Sequence, residues 1–194
     1  MPIVSNRSAN SEPAAMALTH SRLRSFAANQ LKLDASVVAI GAFDGVHRGH
    51  QKLIGSAVAS ARQKSCPSVV YTFDTPPKAF FAGVRVLTSA EEKLRKIELL
   101  GVSRAVVAKF DHKFASRSAE EFMEELARLN PCEIWVGADF RFGFQSIGDV
   151  ALLSTRFNVQ ILDAVCCERG EVISSTRIRQ LLGRDPWAAS RLMA

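Results

Sequence analysis

The sequence predicts an α/β fold: a mostly parallel sheet with helices on both of its faces. Short apolar runs alternate at least four times with amphipathic stretches in which apolar residues recur at helical spacing. That alternation is typical of right-handed β-α-β units, which place successive strands in one sheet. With 194 residues, the chain is long enough to form one domain with a substantial core.

Five strands are predicted from short runs of apolar, mostly β-branched or aromatic residues. The runs are 37–40, 68–73, 104–109, 133–137 and 159–165. Cys166 and Cys167 follow the last run, so their side chains should point to opposite faces. None of the four cysteines belongs to a CxxC pair, and we therefore expect free thiols in a reducing compartment.

Helices are predicted between the strands. Residues 49–64 carry apolar side chains at helical spacing, and 186–194 has the pattern of the start of a final helix. Another helix should begin near Ser174 and end at Gly183. The two prolines of Thr75-Pro76-Pro77 argue against regular structure there.

Two further helices are predicted from capping signals. Ser89 with Glu92, and Ser118 with Glu121, have the spacing of a capping box, in which each side chain bonds the other residue's backbone N–H. Apolar residues at helical spacing follow both pairs.

Charge and hydropathy exclude several classes of protein. The formal charge is +6, but no Lys/Arg run is interleaved with aromatic residues, so no nucleic-acid partner is expected. No segment approaches the roughly 18 to 20 apolar residues of a membrane span. Residues 1–18 lack the apolar centre of a secretory signal, and 1–20 should form a flexible tail. We therefore expect a cytoplasmic protein without a membrane partner.

The segment 41–50, GAFDGVHRGH, joins the first predicted strand to the first helix. Its glycines allow tight turns and close approach of the backbone to a ligand. The helix N-terminus offers free N–H groups that suit phosphate. His47 and His50 lie three residues apart and could donate hydrogen bonds to an α-phosphate. The alternative is a glycine-rich turn with two surface histidines. No third ligand accompanies the pair, so no zinc site is expected.

Two other segments lie at predicted strand ends. In 173–179, ISSTRIR, hydroxyl groups and Arg177 could surround a triphosphate, although Ser and Thr also serve as plain helix caps. In 136–143, VGADFRFG, Gly137 permits close approach, and Asp139 could accept ribose hydroxyls or contact the base. Whether the two phenylalanines of this segment belong to the core or to the site stays open.

Together these segments resemble bacterial FAD synthetases, specifically the FMN adenylyltransferase module that usually precedes a riboflavin kinase module. The similarity lies in GAFDGVHRGHQ at 41–51, VGADFRFG at 136–143 and ISSTRIRQLL at 173–182, and spans roughly 37–183. HxGH alone marks a superfamily of nucleotidyltransferases, whereas the three motifs together are specific to the flavin branch. The resemblance implies a Rossmann-like fold and the reaction FMN + ATP → FAD + pyrophosphate, with Mg²⁺ carried on the ATP phosphates.

The resemblance also implies roles for individual residues, with His47, His50 and Arg177 as the catalytic set. FMN carries a phosphate that is largely dianionic near neutral pH, so the protein needs to align it and neutralise charge and needs no strong base. The implied ATP-binding residues are Gly41, Phe43, Asp44, Gly45, His47, Gly49, His50, Gly137, Asp139, Ser174, Ser175, Thr176 and Arg177. The implied flavin-binding residues are Phe73, Pro76, Pro77, Asp139 and Arg141.

The chain departs from the family pattern in three places. The family commonly has Pro-His-Pro after its second strand, where this chain has Thr75-Pro76-Pro77. A basic residue often follows DFRFG, where this chain reads FQSI at 144–147. In the family a riboflavin kinase module would normally begin at 186–194, where the sequence of this chain stops. The domain at 21–185 is therefore expected to make FAD without phosphorylating riboflavin, using FMN from a separate riboflavin kinase.

Two alternatives follow from the first two departures. Nucleotidyl transfer could go to another phosphate acceptor, such as phosphopantetheine or nicotinamide mononucleotide. The chain could also be a flavin- or nucleotide-binding module without turnover, because a fold alone does not establish an activity.

Overall fold

A computed structural model of the protein describes residues 23–193, and the tail predicted for 1–20 lies outside them. Its centre is one sheet whose strands are all parallel, which confirms the predicted fold class. The strands are β1 (Arg24–Ala27), β2 (Ser36–Ile40), β3 (Ser68–Phe73), β4 (Arg104–Ala108), β5 (Pro131–Gly137) and β6 (Val159–Leu162). Their order across the sheet is β1-β4-β3-β2-β5-β6.

Helices connect the strands and cover both faces. None of those in the described range is long and apolar enough to cross a membrane. A short 3₁₀ turn, Phe144–Ser146, follows β5. The helices are α1 (Arg48–Gln63), α2 (Pro77–Ala82), α3 (Ala90–Leu99), α4 (His112–Ala115), α5 (Ala119–Ala127), α6 (Val150–Ser154), α7 (Ser175–Leu182) and α8 (Pro186–Met193).

The core lies on both sides of β2, every residue of which is buried. Val37 and Ala39 face the layer that contains α1 and Ile97 of α3. Val38 and Ile40 face the opposite layer, which contains α5. This two-sided burial is why the strand reads as a continuous apolar run, with no alternation of polar and apolar residues.

Local signals predicted several of these elements correctly. The reciprocal capping box of Ser118 and Glu121 begins α5, and the Ser89 side chain accepts a hydrogen bond from the Glu92 backbone at α3. The final segment is helical from Pro186 to Met193, and it packs on α7 through the buried Leu192. All four cysteines are free, as predicted.

Three expectations about elements were wrong. Pro77 does not prevent regular structure, because it occupies the first turn of α2, where a missing backbone N–H costs no intrahelical bond. The last strand ends at Leu162 and not at residue 165, so Cys166 lies beyond it and pairs with Val172 in an isolated bridge. The edge strand β1 was missed, since its four residues are mostly exposed and carry no apolar run.

The strand order creates a switch point beside β2. From β2 the chain moves outward through β3 and β4 and then returns to the other side of β2 as β5. Connections leave the carboxyl ends of β2 and β5 in opposite directions, which leaves a crevice there. Ligands of open α/β sheets bind in that position.

Gly143, just after β5, illustrates how tightly the loops at this edge are packed. Its φ is +74°, and a Cβ atom there would lie 2.9 Å from the backbone nitrogen of Ala119. Gly170 has a similar φ of +75°, but a Cβ atom would meet nothing within 4 Å. Both glycines therefore have a positive φ, and Gly143 is further constrained by its ψ of 174° and by the backbone of Ala119.

We predict that Gly143→Ala lowers the free energy of unfolding by roughly 2 to 4 kcal/mol, whereas Gly170→Ala lowers it by only about 1 to 2 kcal/mol. Both variants place Ala at a positive φ, which an L residue rarely adopts, but only the first forces a backbone contact. Urea unfolding of both proteins measures the difference. Equal losses would show that the contact with Ala119 relaxes without cost.

Candidate active site

A cavity of about 900 Å³ opens at the carboxyl ends of the strands and brings most of the sequence-predicted site residues together. Gly45 and Arg177 are the two that do not line it. Those that do are Gly41, Phe43, Asp44, His47, Gly49, His50, Phe73, Pro76, Pro77, Gly137, Asp139, Arg141, Ser174, Ser175 and Thr176.

The two histidines are positioned by the start of α1. His47 is the N-cap, and its Nδ1 accepts a hydrogen bond from the His50 backbone N–H at 3.4 Å. The two rings stack with centroids 3.5 Å apart. A Cβ atom at Gly49 would lie 3.3 Å from the His47 ring, so the glycine between the histidines makes room for this stack. The spacing of the motif thus produces one surface formed by two imidazoles.

Both histidines are neutral near pH 7. Burial lowers the pKa of His47 to about 4. Burial also lowers the pKa of His50 well below its ordinary value, and repulsion from a protonated His47 and from the Lys93 ammonium lowers it further. Neutral imidazoles can donate hydrogen bonds to phosphate oxygens, but they add no positive charge. Charge neutralisation in this cavity must come from other groups.

Asp44 connects the loop before α1 to two other segments. The side chain is only 3% exposed, and its Oδ1 accepts hydrogen bonds from the backbone N–H groups of Leu87 at 2.9 Å and Thr88 at 3.2 Å. Its Oδ2 forms an ion pair with Arg179 of α7. The Ser175 hydroxyl donates to the Asp44 backbone carbonyl at 2.9 Å. Asp44 thus fixes α7 against the loop that precedes α1.

Lys93 plays a related part on the other side of the loop. It is 1% exposed, and its Nζ donates to the carbonyl oxygens of Ala42 at 3.2 Å and Phe73 at 2.5 Å. These carbonyls lie at the carboxyl ends of β2 and β3. Burial lowers the pKa of Lys93 to about 8. The buried ammonium holds together the two chain segments that enter the cavity from neighbouring strands.

The N-terminus of α7 forms the facing wall. Ser174 caps it by accepting a hydrogen bond from the backbone N–H of Arg177 at 3.3 Å. The Arg177 guanidinium points away from the cavity, donating to Cys167 Sγ at 3.3 Å and pairing with Glu171. Arg179 does line the cavity. The two arginines of the motif therefore face different surroundings.

A second part of the cavity wall, its aromatic end, is built from phenylalanines. The Phe73 ring makes edge-to-face contacts with Phe110 and Phe114, both with centroids 5.4 Å away. Phe140 and Phe142 stack at 5.6 Å, and both line the cavity while packing in the core. Phe140 and Phe142 therefore belong both to the core and to the site, because the core forms this wall of the cavity.

The residues after β5 form the rim. Asp139 is exposed, and its Oδ1 lies 3.1 Å from the position that a Cβ atom at Gly137 would occupy. Arg141 pairs with Asp149 at 3.4 Å. Within residues 23–193, no group of three or more His, Cys, Asp or Glu side chains could hold a metal ion.

Sequence reasoning missed several residues of the site. Lys78, Arg117, Asp163 and Arg179 line the cavity, and Lys93 lies just beneath it. Arg179 stands inside a recognised motif, and its helical spacing from Ser175 could have placed it on the same face. The others belong to no motif, and only the folded chain brings them to the cavity.

The buried histidines make stability depend on pH. Between pH 6.5 and 4 the unfolded chain binds a proton at His47 and the folded chain does not, so acid favours unfolding. We predict that lowering the pH from 7 to 5 removes about 1 to 2 kcal/mol through His47. In urea unfolding, His47→Gln should lose that part of the pH dependence. If the free energy of unfolding of His47→Gln changed between pH 7 and pH 5 as much as that of the unaltered protein, a neutral, buried His47 would be contradicted.

Comparison with known proteins identifies the family. Residues 29–177 match the family model described as FAD synthetase. The chain is 52% identical over 167 residues to a putative bifunctional riboflavin kinase/FMN adenylyltransferase of Geobacillus thermodenitrificans, covering 86% of this chain and 93% of that protein. It is 36% identical to the bifunctional riboflavin kinase/FMN adenylyltransferase of Escherichia coli K12, covering 81% of this chain and 53% of that protein. The chain thus spans about half the length of this second relative.

A solved structure supports the same fold. The crystal structure described as a macrolide-efflux protein from Streptococcus pneumoniae superimposes with a TM-score of 0.75 at 30% sequence identity. The match covers 87% of this chain and 59% of that one. On the family match and the identities to its relatives, this chain belongs to the FAD synthetase family.

Proposed function

We propose that this chain transfers AMP from ATP to FMN inside the cavity, producing FAD and pyrophosphate. The observation that carries the proposal is the division of one cavity into a polar end and an aromatic end. The polar end combines two helix N-termini, two neutral imidazoles and the hydroxyls of 174–176. The aromatic end supplies the flat, apolar surface that a flavin ring needs.

ATP occupies the polar end in this proposal. Its phosphates lie against the N-termini of α1 and α7, whose free N–H groups favour anions. The Ser174 hydroxyl and the His50 imidazole are available as hydrogen-bond donors, whereas the Ser175 hydroxyl already donates to the Asp44 carbonyl. Gly137 and Asp139, at the end of the neighbouring β5, are placed to meet the ribose and base. ATP therefore bridges the switch point between β2 and β5.

FMN occupies the aromatic end, with its ring among the phenylalanines and its phosphate directed to the polar end. Phe73, Pro76 and Pro77 line that part of the cavity. Prolines add rigid apolar surface at no cost in side-chain entropy. The altered Thr75-Pro76-Pro77 segment thus keeps an apolar wall although it lacks the histidine common in the family. The family match favours FMN over another phosphate acceptor.

The chemistry is a single displacement. An oxygen of the FMN phosphate attacks the α-phosphorus of ATP, a new P–O bond forms, and the bond to the bridging oxygen breaks so that pyrophosphate leaves. His47 and His50 donate hydrogen bonds to the α-phosphate, where charge develops in the transition state. Mg²⁺ would add charge neutralisation at the departing pyrophosphate, bound through phosphate oxygens.

The supply of FMN and the compartment are also part of the proposal. The Escherichia coli relative is named as a bifunctional riboflavin kinase/FMN adenylyltransferase, and the region matched by this chain is about half of it. A riboflavin kinase activity is therefore the expected source of FMN, and a separate enzyme could provide it. Four free cysteines agree with a reducing cytoplasmic compartment.

We predict that the protein with FMN, ATP and Mg²⁺ releases FAD and pyrophosphate, and that His50→Ala lowers kcat by roughly 100-fold. The loss arises because a donor aimed at the α-phosphate is removed. Chromatographic quantification of FAD measures both. His112→Ala, an exposed histidine on α4, is the matched control and should retain full activity. A folded protein that binds both substrates and forms no FAD would refute the proposal in favour of a binding module.

The two arginines of the last motif should differ in effect. We predict that Arg179→Met lowers kcat/KM for ATP by about 100-fold, because it removes a cation at the cavity wall and leaves Asp44 unpaired. Arg177→Met should lower it by only about tenfold, through the loop at 167–172 that Arg177 holds. Steady-state kinetics on proteins checked by thermal unfolding measures both. The reverse order would mean that Arg177 turns toward ATP when it binds.

A further inference from the structure

We propose that Lys78 binds the phosphate group of FMN and holds it beside the α-phosphate of ATP. The inference rests on the proposed function and adds to it a substrate-binding residue that belongs to none of the three motifs. Three independent features of the structure support it: the position of Lys78, its lack of an anionic partner, and the absence of charge on the histidines.

The position of Lys78 joins the two ends of the cavity. It is the second residue of α2, directly after Pro76 and Pro77, which line the aromatic end. Its Nζ lies 3.5 Å from the Thr176 hydroxyl oxygen in the first turn of α7, at the polar end. The ammonium group therefore lies where the flavin part of the cavity meets the phosphate part. The phosphate of FMN must reach this junction to attack ATP.

The charge of Lys78 is not neutralised by the protein. Among residues 23–193, three other cationic side chains line the cavity, and each of them has a carboxylate partner. Lys78 forms no ion pair with any residue in the described part of the chain, and its one polar side-chain contact is a neutral hydroxyl. The paired cations are Arg117 with Glu125, Arg141 with Asp149, and Arg179 with Asp44.

The anion that suits this ammonium is the FMN phosphate. That group carries a charge near −2 at neutral pH, because its second pKa is about 6. The neutral His47 and His50 leave this charge without a cation. A lysine on a flexible stem serves as a movable point charge for phosphate, and it can follow the phosphate as the new bond forms. ATP phosphates, in contrast, are proposed to meet the helix N-termini and Mg²⁺.

The test compares FMN with riboflavin, which has the same ring and no phosphate. We expect Lys78→Met to weaken FMN binding by roughly 10- to 100-fold and to leave riboflavin binding unchanged. Lys78→Arg should keep most of the FMN affinity, since it keeps the charge. Lys32→Met, an exposed lysine that does not line the cavity, is the matched control. Quenching of flavin fluorescence measures each dissociation constant without turnover.

Three results would overturn the inference. Equal weakening of FMN and riboflavin would mean that Lys78 shapes the ring pocket, and unchanged FMN binding would mean that it does not contact the FMN phosphate. A higher KM for ATP with unchanged FMN affinity would place it on ATP. FAD formation by the unaltered protein tests the proposed function separately. If that protein made no FAD, its preference for FMN over riboflavin and the loss of that preference in Lys78→Met would still decide the role of Lys78.

Discussion

The buried carboxylate of Asp44 is the interaction on which the arrangement of the site depends. A carboxylate that is 3% exposed must have all its oxygens satisfied, because an unpaired buried charge costs several kcal/mol. Its partners come from the segment at Leu87 and Thr88 and from Arg179 of α7. Any shift of one of these segments would leave the charge unpaired. The loop before α1 and the start of α7 therefore form one rigid unit, and two helix N-termini face the same cavity.

Burial of the loop has an electrostatic consequence. The same packing that fixes Asp44 also covers His47, which places the imidazole in surroundings where the protonated form is unfavourable. The two imidazoles therefore serve as hydrogen-bond donors of defined direction, but they carry no positive charge near pH 7. For a reaction between two phosphates, the missing charge must come from lysine, arginine or a metal ion. This is why the cations around the cavity, and their pairing, matter as much as the histidine motif.

The sequence was sufficient to predict the parallel sheet, the helix start at the histidine motif and the crevice that most site residues line. Those predictions succeeded because their causes are local. A buried strand such as β2 needs an apolar run, a capped helix needs its cap, and Gly49 is required where a side chain would meet the His47 ring. The edge strand β1 was missed because its pairing with β4 involves residues about 80 positions away, Arg24 with Arg104.

The parts of the site that sequence could not predict are those decided by tertiary pairing. Lys93 reads as an ordinary helix lysine in the sequence, yet the fold buries it against two strand-end carbonyls. Arg177 and Arg179 are equivalent as residue types, and the partner carboxylates, Glu171 and Asp44, decide which of them faces the cavity. A motif therefore specifies which helix end binds phosphate. The direction of each charged side chain depends on acids elsewhere in the chain, so the unpaired state of Lys78 within residues 23–193 follows from the ion pairs of the folded protein and from no local pattern.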